Sequence, residues 1–172
     1  GLIDGICISG GEPTIQKGLK EFIQKVKEIG IKVKLDTNGS NPDVLEDLLK
    51  ENLLDYVAMD IKHAPSKYQD VIQVKPNFKK IQKSMELLKN SNIQHEFRTT
   101  VIKEYHTIED IEEMASLVGD SPYYLQKYVD SDTCIQQGLK SYSDDELILI
   151  YQTIANKFPN TKLRGIDIEK KE

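Results

Sequence analysis

The chain has 172 residues, of which 23 are basic and 28 acidic, and its formal net charge is −5. This length predicts one domain of ordinary size, and the mildly acidic composition argues against a protein dedicated to binding nucleic acid. No apolar run approaches the ~20 residues of a membrane-spanning helix, so we expect no membrane segment. Two cysteines, Cys7 and Cys134, are too few and too far apart for a disulfide framework, which favours a reducing cytoplasm.

Six short segments rich in apolar and β-branched residues predict strands, and helical patterns separate them. The strand candidates are Ile3–Ser9, Ile31–Thr37, Tyr56–Ile61, Ile93–Val101, Tyr123–Val129 and Lys162–Ile166. Strict alternation of strands and helices predicts parallel strands with right-handed crossovers. The expected fold class is therefore α/β, with a parallel sheet or a partial (β/α)6-type barrel.

Five stretches with apolar residues three or four positions apart predict the helices. They run through Leu19–Val26, Val44–Leu49, Phe78–Leu88, Ile108–Leu117 and Leu147–Ile154. Asn41 before Pro42 is typical of a helix start, with Asn41 as the N-cap residue. Capping boxes are predicted for two pairs, Thr107 with Asp110 and Ser143 with Glu146.

The chain begins with a glycine two residues before a predicted strand, which resembles a chain whose beginning has been cut away. We expect one core domain over residues 1–168, truncated at its N-terminus, and a charged tail over residues 169–172. The edge of the segment Ile3–Ser9 is then expected to be uncovered. An uncovered parallel edge predicts recruitment of a neighbouring strand or aggregation.

Polar side chains repeat on one face of the predicted strands, because successive side chains point to opposite faces. The polar set contains Lys34, Asp36, Asn38, Asp60, Lys62, Glu96 and Arg98. Burying unpaired charge is costly, and a dry barrel core holds aliphatic residues instead. We therefore expect these residues to line a wet cavity or hold a polar ligand. Five of them also lie towards the carboxyl ends of their strands, where α/β proteins bind ligands, namely Asp36, Asn38, Asp60, Lys62 and Arg98. The alternative is a solvent-facing side of an open sheet.

Three short motifs stand at the ends of the first three predicted strands. They are Ser9-Gly10-Gly11-Glu12-Pro13, Asp36-Thr37-Asn38-Gly39 and Asp60-Ile61-Lys62. Adjacent glycines allow a sharp turn and a close approach of backbone to ligand. Glu12 can accept hydrogen bonds from a ligand ammonium.

The three motifs follow one another in this order, with one strand–helix unit between each motif and the next. Together they resemble the motifs of the radical S-adenosylmethionine (SAM) superfamily, and specifically of the activating enzymes of glycyl radical enzymes. The three motifs are similar to the family's GGE, DTNG and D-x-K segments, and Arg98 resembles the arginine of the next strand. The resemblance runs from Gly5 to about Gly165. Within the family, it is strongest to activators of anaerobic ribonucleoside-triphosphate reductase, with pyruvate formate-lyase activators as the near alternative.

The resemblance implies SAM as a cofactor and assigns nine residues to it. Gly10, Gly11 and Glu12 belong to the methionine end, Asp36, Thr37, Asn38 and Asp60 to the ribose side or a nearby cation, and Lys62 and Arg98 to the carboxylate. It implies that an electron from a 4Fe-4S cluster cleaves SAM, and that the 5′-deoxyadenosyl radical takes a hydrogen from a glycine of a partner glycyl radical enzyme. An electron donor such as flavodoxin or ferredoxin is also implied. The cofactors carry this chemistry, so no residue is assigned as a catalytic acid or base.

The chain departs from the family in its cysteines. The family ligates its cluster through three cysteines in a CxxxCxxC loop, and this sequence has no such pattern. Cys7 and Cys134 are interpreted as plain thiols, and no metal ligand is expected here. By family order the loop belongs upstream of Gly1. Cluster binding is therefore expected only in the full-length protein, and the chain by itself is expected to be inactive.

The three histidines, His63, His95 and His106, are interpreted as too dispersed for a ligand set. We expect His63 to be a solvated loop residue and His95 to be structural.

Two functions other than a radical SAM enzyme remain open for this sequence. One is a cluster-free α/β enzyme or binding module, aldolase-like or for sugar phosphates, which would bind its ligand without iron. The other is a structural interaction domain that uses the exposed sheet edge.

Overall fold

The computed structural model describes residues 3–67, 78–131 and 137–166. In these ranges the strands are β1 (Gly5–Ile8), β2 (Lys32–Thr37), β3 (Tyr56–Asp60), β4 (Gln94–Val101), β5 (Tyr123–Lys127) and β6 (Thr161–Arg164). The α-helices are α1 (Leu19–Glu28), α2 (Pro42–Lys50), α3 (Phe78–Lys89), α4 (Ile108–Val118) and α5 (Asp144–Lys157). Within each compact unit, neighbouring strands follow one another in chain order. All six predicted strands are confirmed, with ends that differ by one or two residues.

The first of two compact units contains the described parts of Gly1–Asp60 and Lys75–Glu96. It holds the parallel strands β1, β2 and β3 together with α1, α2 and α3. Gly5 of β1 pairs with Lys32, and Lys34 of β2 pairs with Tyr56. Alternate residues of β2 are buried, and Leu35 is fully enclosed. The apolar residues that alternate in the sequence of β2 therefore lie on its buried face.

The second unit contains the described parts of Ile61–Val74 and Phe97–Glu172. It holds β4 from Phe97 onward, β5, β6, α4 and α5. Phe97 pairs with Tyr123, and Tyr123 pairs with Thr161, both in parallel register. Its core consists of apolar side chains that are wholly buried, which are Phe97, Val101, Ile111, Met114, Leu125, Leu147 and Ile154.

The helix starts follow the sequence in two cases and depart from it in a third. Both predicted capping boxes are confirmed, because the Thr107–Asp110 and Ser143–Glu146 pairs make both reciprocal hydrogen bonds. Asn41 occupies the N-cap position of α2, but its side chain makes no capping bond. Its NH2 group instead donates to Thr14 Oγ1 at 2.9 Å. A tertiary contact therefore orients this side chain, whose oxygen makes no capping bond.

The expected α/β class with parallel strands is confirmed in each unit. The domain limits at residues 1–168 and the charged tail at residues 169–172 stay predictions, and the tail lies outside the described residues. Within the ranges that the structure describes, no helix is both long enough and apolar enough to cross a bilayer.

Candidate ligand-binding site

The loop after β1 presents two glycines in the left-handed region of backbone conformation. Gly10 has φ 99° and Gly11 has φ 54°, and a Cβ atom added at either position would meet no atom within 4 Å. Residues with side chains avoid this conformation, whereas glycine adopts it readily. The loop therefore leaves its backbone accessible from an open side, as a closely approaching ligand requires.

Glu12 ends this loop with a carboxylate that the protein itself surrounds with donors. The residue is 8% exposed, and its Oε1 accepts hydrogen bonds from Thr14 N at 3.1 Å and Thr14 Oγ1 at 2.6 Å. Oε1 also accepts from Thr37 Oγ1 at 2.7 Å, and Oε2 accepts from the Asn38 N–H at 2.6 Å. A carboxylate has about four acceptor positions, so further capacity lies mainly at Oε2. Glu12 thus links the first motif to the second.

The second motif is held by contacts across the first unit. Thr37 Oγ1 accepts the Gly39 N–H at 3.1 Å, and Asn38 Oδ1 accepts the Ser40 N–H at 2.9 Å. Gly39 has φ 72°, and a Cβ atom there would lie 2.1 Å from Met59 Cε. Ser84 of α3 donates its hydroxyl to the Gly39 carbonyl at 2.8 Å. The sequence places Gly39 in a turn, but its contact with Ser84, 45 positions away, is visible only in the structure.

Asp36 belongs to a small polar cluster on the exposed face of β1 and β2. The Lys34 ammonium forms an ion pair with Asp36, and Cys7 Sγ lies 3.5 Å from Asp36 Oδ1. Burial and the Asp36 charge raise the pKa of the Cys7 thiol, and Lys34 opposes them with a smaller effect. Cys7 is therefore a protonated thiol rather than a reactive thiolate.

Lys62 and Arg98 lie in the second unit, whereas the predicted site residues from Gly10 to Asp60 lie in the first. Lys62 follows Ile61, whose N–H donates to the Arg98 carbonyl at 2.9 Å, and its side chain is exposed. Arg98 pairs in register with Tyr124 of β5. The backbone bond from Ile61 to Arg98 therefore connects the segment that carries Lys62 to the strand that carries Arg98. Convergence of all nine residues on one ligand stays a prediction.

The interpretation of the histidines is wrong in two respects. His63 is 1% exposed rather than solvated, and His106 is 2% exposed. Their ring centroids are 4.9 Å apart, so these two are not dispersed. His63 packs against His106, which lies 43 positions further along the chain. No local sequence pattern identifies His106 as its partner. His95 Nδ1 lies 3.0 Å from the Ile93 carbonyl, in keeping with a structural role.

A cavity of about 870 Å³ lies elsewhere in the first unit, at the amino ends of the strands. Its lining includes Gly5, Cys7, Lys34 and Tyr56. None of the nine predicted site residues lines it among those described. Ligands of parallel α/β sheets bind at the carboxyl ends of strands, so this cavity is separate from the candidate site formed by the motifs.

Over residues 3–67, 78–131 and 137–166, no three side chains of His, Cys, Asp or Glu are grouped so that they could hold a metal ion. Cys134 lies outside the described residues.

Two proteins of Methanocaldococcus jannaschii, both named as glycyl-radical enzyme activating enzymes, are similar in sequence. One is 41% identical over 135 residues, which make up 75% of this chain and 56% of that protein. The other is 26% identical over 174 residues, with 98% of this chain and 66% of that protein covered. The chain thus spans between about half and two thirds of the length of these relatives.

The fold is similar to a crystal structure of a domain of pyruvate-formate lyase-activating enzyme from Bacteroides vulgatus. The TM-score is 0.71 at 16% identity, with 94% of this chain and 99% of that chain covered. At this identity the likeness establishes the fold alone, and it confirms the expected α/β class of parallel-stranded partial barrels. The family described as the radical SAM superfamily matches residues 1–118, more than half of the sequence. The chain therefore belongs to the radical SAM superfamily.

Proposed function

We propose that this chain is the core of a radical SAM activating enzyme that forms a glycyl radical on a partner enzyme. The partner is an anaerobic ribonucleotide reductase or, as the option within the same family, pyruvate formate-lyase. The names of the two Methanocaldococcus relatives support this class of activity. The observation that carries the proposal is the open glycine loop, which Glu12 joins to the end of β2.

Membership of the family implies use of SAM and a 4Fe-4S cluster. We assign Gly10 and Gly11 to the methionine end of SAM, and the open space where other residues would carry side chains supports this assignment. We assign Glu12 to the same end and Asp36, Thr37, Asn38 and Asp60 to the ribose side. Lys62 and Arg98 supply positive charge for the carboxylate, since charge-assisted hydrogen bonds are stronger than neutral ones.

The cluster does not fit the residues of this chain, because two cysteines cannot provide three thiolate ligands. In the proposal, cluster ligands come from the complete protein, and this chain alone is inactive. When bound, SAM and a reduced cluster supply the chemistry that removes hydrogen from the partner's glycine. The chain's own residues bind and orient SAM and exclude water around it. An electron donor of the flavodoxin or ferredoxin type and a reducing, cytoplasmic setting complete the proposal.

Calorimetric titration of the chain with SAM tests the binding part of this proposal. Gly11→Ala places a methyl group on the open side of the loop, so we expect affinity to fall about tenfold or more. Gly30→Ala is the matched control, since Gly30 also has positive φ (80°) and open space but lies at the end of α1. Absence of SAM binding by the unmodified chain, or equal affinity in both variants, contradicts the proposal.

The radical-forming part requires the complete protein under anoxia. After reconstitution with iron and sulfide and reduction, we expect an electron paramagnetic resonance signal of a glycyl radical on the partner enzyme. Omission of SAM provides the control. A cluster-free enzyme would instead bind a ligand such as a sugar phosphate without iron, and that result would replace the present proposal.

A further inference from the structure

Two buried histidines connect the segment that follows β3 with the turn that follows β4. His63 and His106 are 1% and 2% exposed, and their rings are tilted by 44° at a centroid distance of 4.9 Å. Both belong to the second unit. Lys62, which the proposed function assigns to the SAM carboxylate, is the immediate neighbour of His63. The pair therefore lies beside a residue of the candidate site.

The hydrogen bonds of His106 define its protonation state. Nδ1 accepts the Ile102 N–H at 2.9 Å and therefore carries no proton. The proton of the neutral ring must then be on Nε2, which donates to the Lys62 carbonyl at 2.8 Å. His63 Nδ1 likewise accepts the Ala64 N–H at 2.7 Å. At Nδ1 of either ring, a second proton would face an N–H donor and break the contact.

These bonds secure the backbone from which the Lys62 side chain extends. On the preceding residue, the Ile61 N–H donates to the Arg98 carbonyl at 2.9 Å, and the Ile61 carbonyl accepts from Thr99 Oγ1 at 2.7 Å. Lys62 itself is held through its carbonyl by His106. The lysine side chain is exposed while its backbone is secured on both sides.

Two further segments, α4 and the residues before α5, place polar groups around His106. Asp110 of α4 is 4% exposed and pairs with Lys67 at 2.8 Å. Tyr142, before α5, donates its hydroxyl to the His106 carbonyl at 2.7 Å. Burial lowers the pKa of His106, and the proximity of His63 adds to this, whereas the Lys62 carbonyl and Asp110 act in the opposite direction. The net lowering keeps the ring neutral at pH 7.

We propose that His106 is a positioning residue for Lys62, which it holds in place for ligand binding only while its imidazole is neutral. The inference rests on the proposed function, in which Lys62 contacts the SAM carboxylate. His106 holds Lys62 through one hydrogen bond, which Nε2–H donates to the Lys62 carbonyl. The bond that Nδ1 accepts from Ile102 keeps the proton on Nε2. Acidification converts Nδ1 into a donor and releases the turn.

Two substitutions of His106 distinguish the bond at Nδ1 from the bond at Nε2. His106→Asn keeps an acceptor near the Nδ1 position but cannot reach Lys62, whereas His106→Gln keeps a donor near the Nε2 position. We expect SAM affinity at pH 8 to fall about tenfold in His106→Asn and no more than about threefold in His106→Gln. Tyr142→Phe is the control, because it removes a bond to the same turn without touching Lys62, and we expect unchanged affinity. Equal losses in all three variants would mean a general structural role and overturn the inference.

The pH profile is a second readout. Affinity of the unmodified chain for SAM should fall as pH decreases below 6.5, the usual pKa of histidine. The amide of His106→Gln does not titrate, so its affinity should vary less over this range. An unaltered profile in His106→Gln assigns the dependence to His63 or another group and contradicts the inference.

A double-mutant cycle with Lys62→Met distinguishes failure of the inference from failure of the proposed function. If His106 acts through Lys62, His106→Asn should have little further effect on affinity once Lys62 is replaced. Unchanged affinity in Lys62→Met would overturn the assignment of Lys62 in the proposed function. A strong effect of Lys62→Met with none of His106→Asn would overturn the positioning role alone.

Amide hydrogen exchange of the ligand-free chain provides a readout that needs no SAM. His106→Asn should accelerate exchange at Ile61 and Ala64 at least about tenfold, because it releases the segment between them. Tyr142→Phe should leave both rates close to those of the unmodified chain. Unchanged protection in His106→Asn rejects the inference even if SAM binding cannot be measured.

Discussion

The Asn38 backbone N–H donates to the Glu12 carboxylate at 2.6 Å, although the two residues are 26 positions apart. This bond joins the end of β2 to the glycine loop that follows β1. Thr37 Oγ1 makes a parallel connection to the same carboxylate at 2.7 Å. Glu12 therefore holds this part of the candidate site together, and we expect its replacement to lower stability.

Glu12→Gln should destabilise the chain by about 2–4 kcal/mol, because it replaces a buried ionic acceptor with an amide that brings a donor against other donors. Chemical denaturation measures the change in free energy of unfolding. Glu28→Gln, at the exposed end of α1, serves as the control and should have little effect. A Glu12→Gln protein as stable as the unmodified chain would show that the four hydrogen bonds are dispensable.

Gly39→Ala should destabilise the chain by about 2–4 kcal/mol, since a positive φ and a steric clash act together. The added methyl group would lie 2.1 Å from Met59 Cε and 3.3 Å from Ser84 Cβ. Gly30→Ala has a similar φ without the clash and should cost about 1 kcal/mol. Thermal and denaturant unfolding of both variants isolate the steric part. Equal losses would mean that Met59 moves aside without cost.

Asp110→Asn should destabilise the second unit by about 1–2 kcal/mol, because it weakens the α4 capping box and the pairing with Lys67. Burial alone would raise the pKa of Asp110, but Lys67 and Thr107 outweigh it and hold the pKa below its usual 3.8. The carboxylate's contribution is therefore present above pH 3.8 and is lost as pH falls through the lower, folded pKa. The difference in free energy of unfolding between the unmodified chain and Asp110→Asn should therefore decrease only in that acidic range. Asp120→Asn, at an exposed position, should show no such difference.

Among the described strands β1 is an edge strand, and we expect this edge to make the chain associate at high concentration. Residues of β1 alternate between exposed and partly buried, and the strand pairs with β2. Cys7→Lys places a charge on an exposed position of this strand and should reduce association, because edge lysines discourage strand pairing. Light scattering against concentration measures the effect in a reducing buffer. A monomeric unmodified chain at high concentration contradicts this prediction.

Local patterns were sufficient for the elements and for two of the three predicted helix caps. The apolar period distinguishes β2 from α1, and the capping boxes of α4 and α5 need residues only three positions apart. Asn41 shows where such reasoning ends, because its NH2 group donates to Thr14, 27 positions away, and its side chain makes no capping bond. The outcome depends on which partner the fold brings within reach.

The order of the three motifs was readable from the sequence, but the partners of their side chains were not. Glu12 was interpreted as a ligand acceptor, and the structure adds four hydrogen bonds from the protein to its carboxylate. Ser84 carries no motif, yet its hydroxyl secures Gly39. A helix residue of this kind becomes recognisable only when its helix is packed.

By itself the amino-acid sequence determined the alternation of strands and helices, the caps that depend on neighbouring residues, and the motifs at the strand ends, since these follow from backbone geometry over a few positions. The tertiary structure decided which donors surround Glu12, why position 39 requires glycine, and that His63 and His106 are buried together. Those features join residues distant in sequence, and hydrogen bonds or close packing between them exist only after the strands and helices have come together.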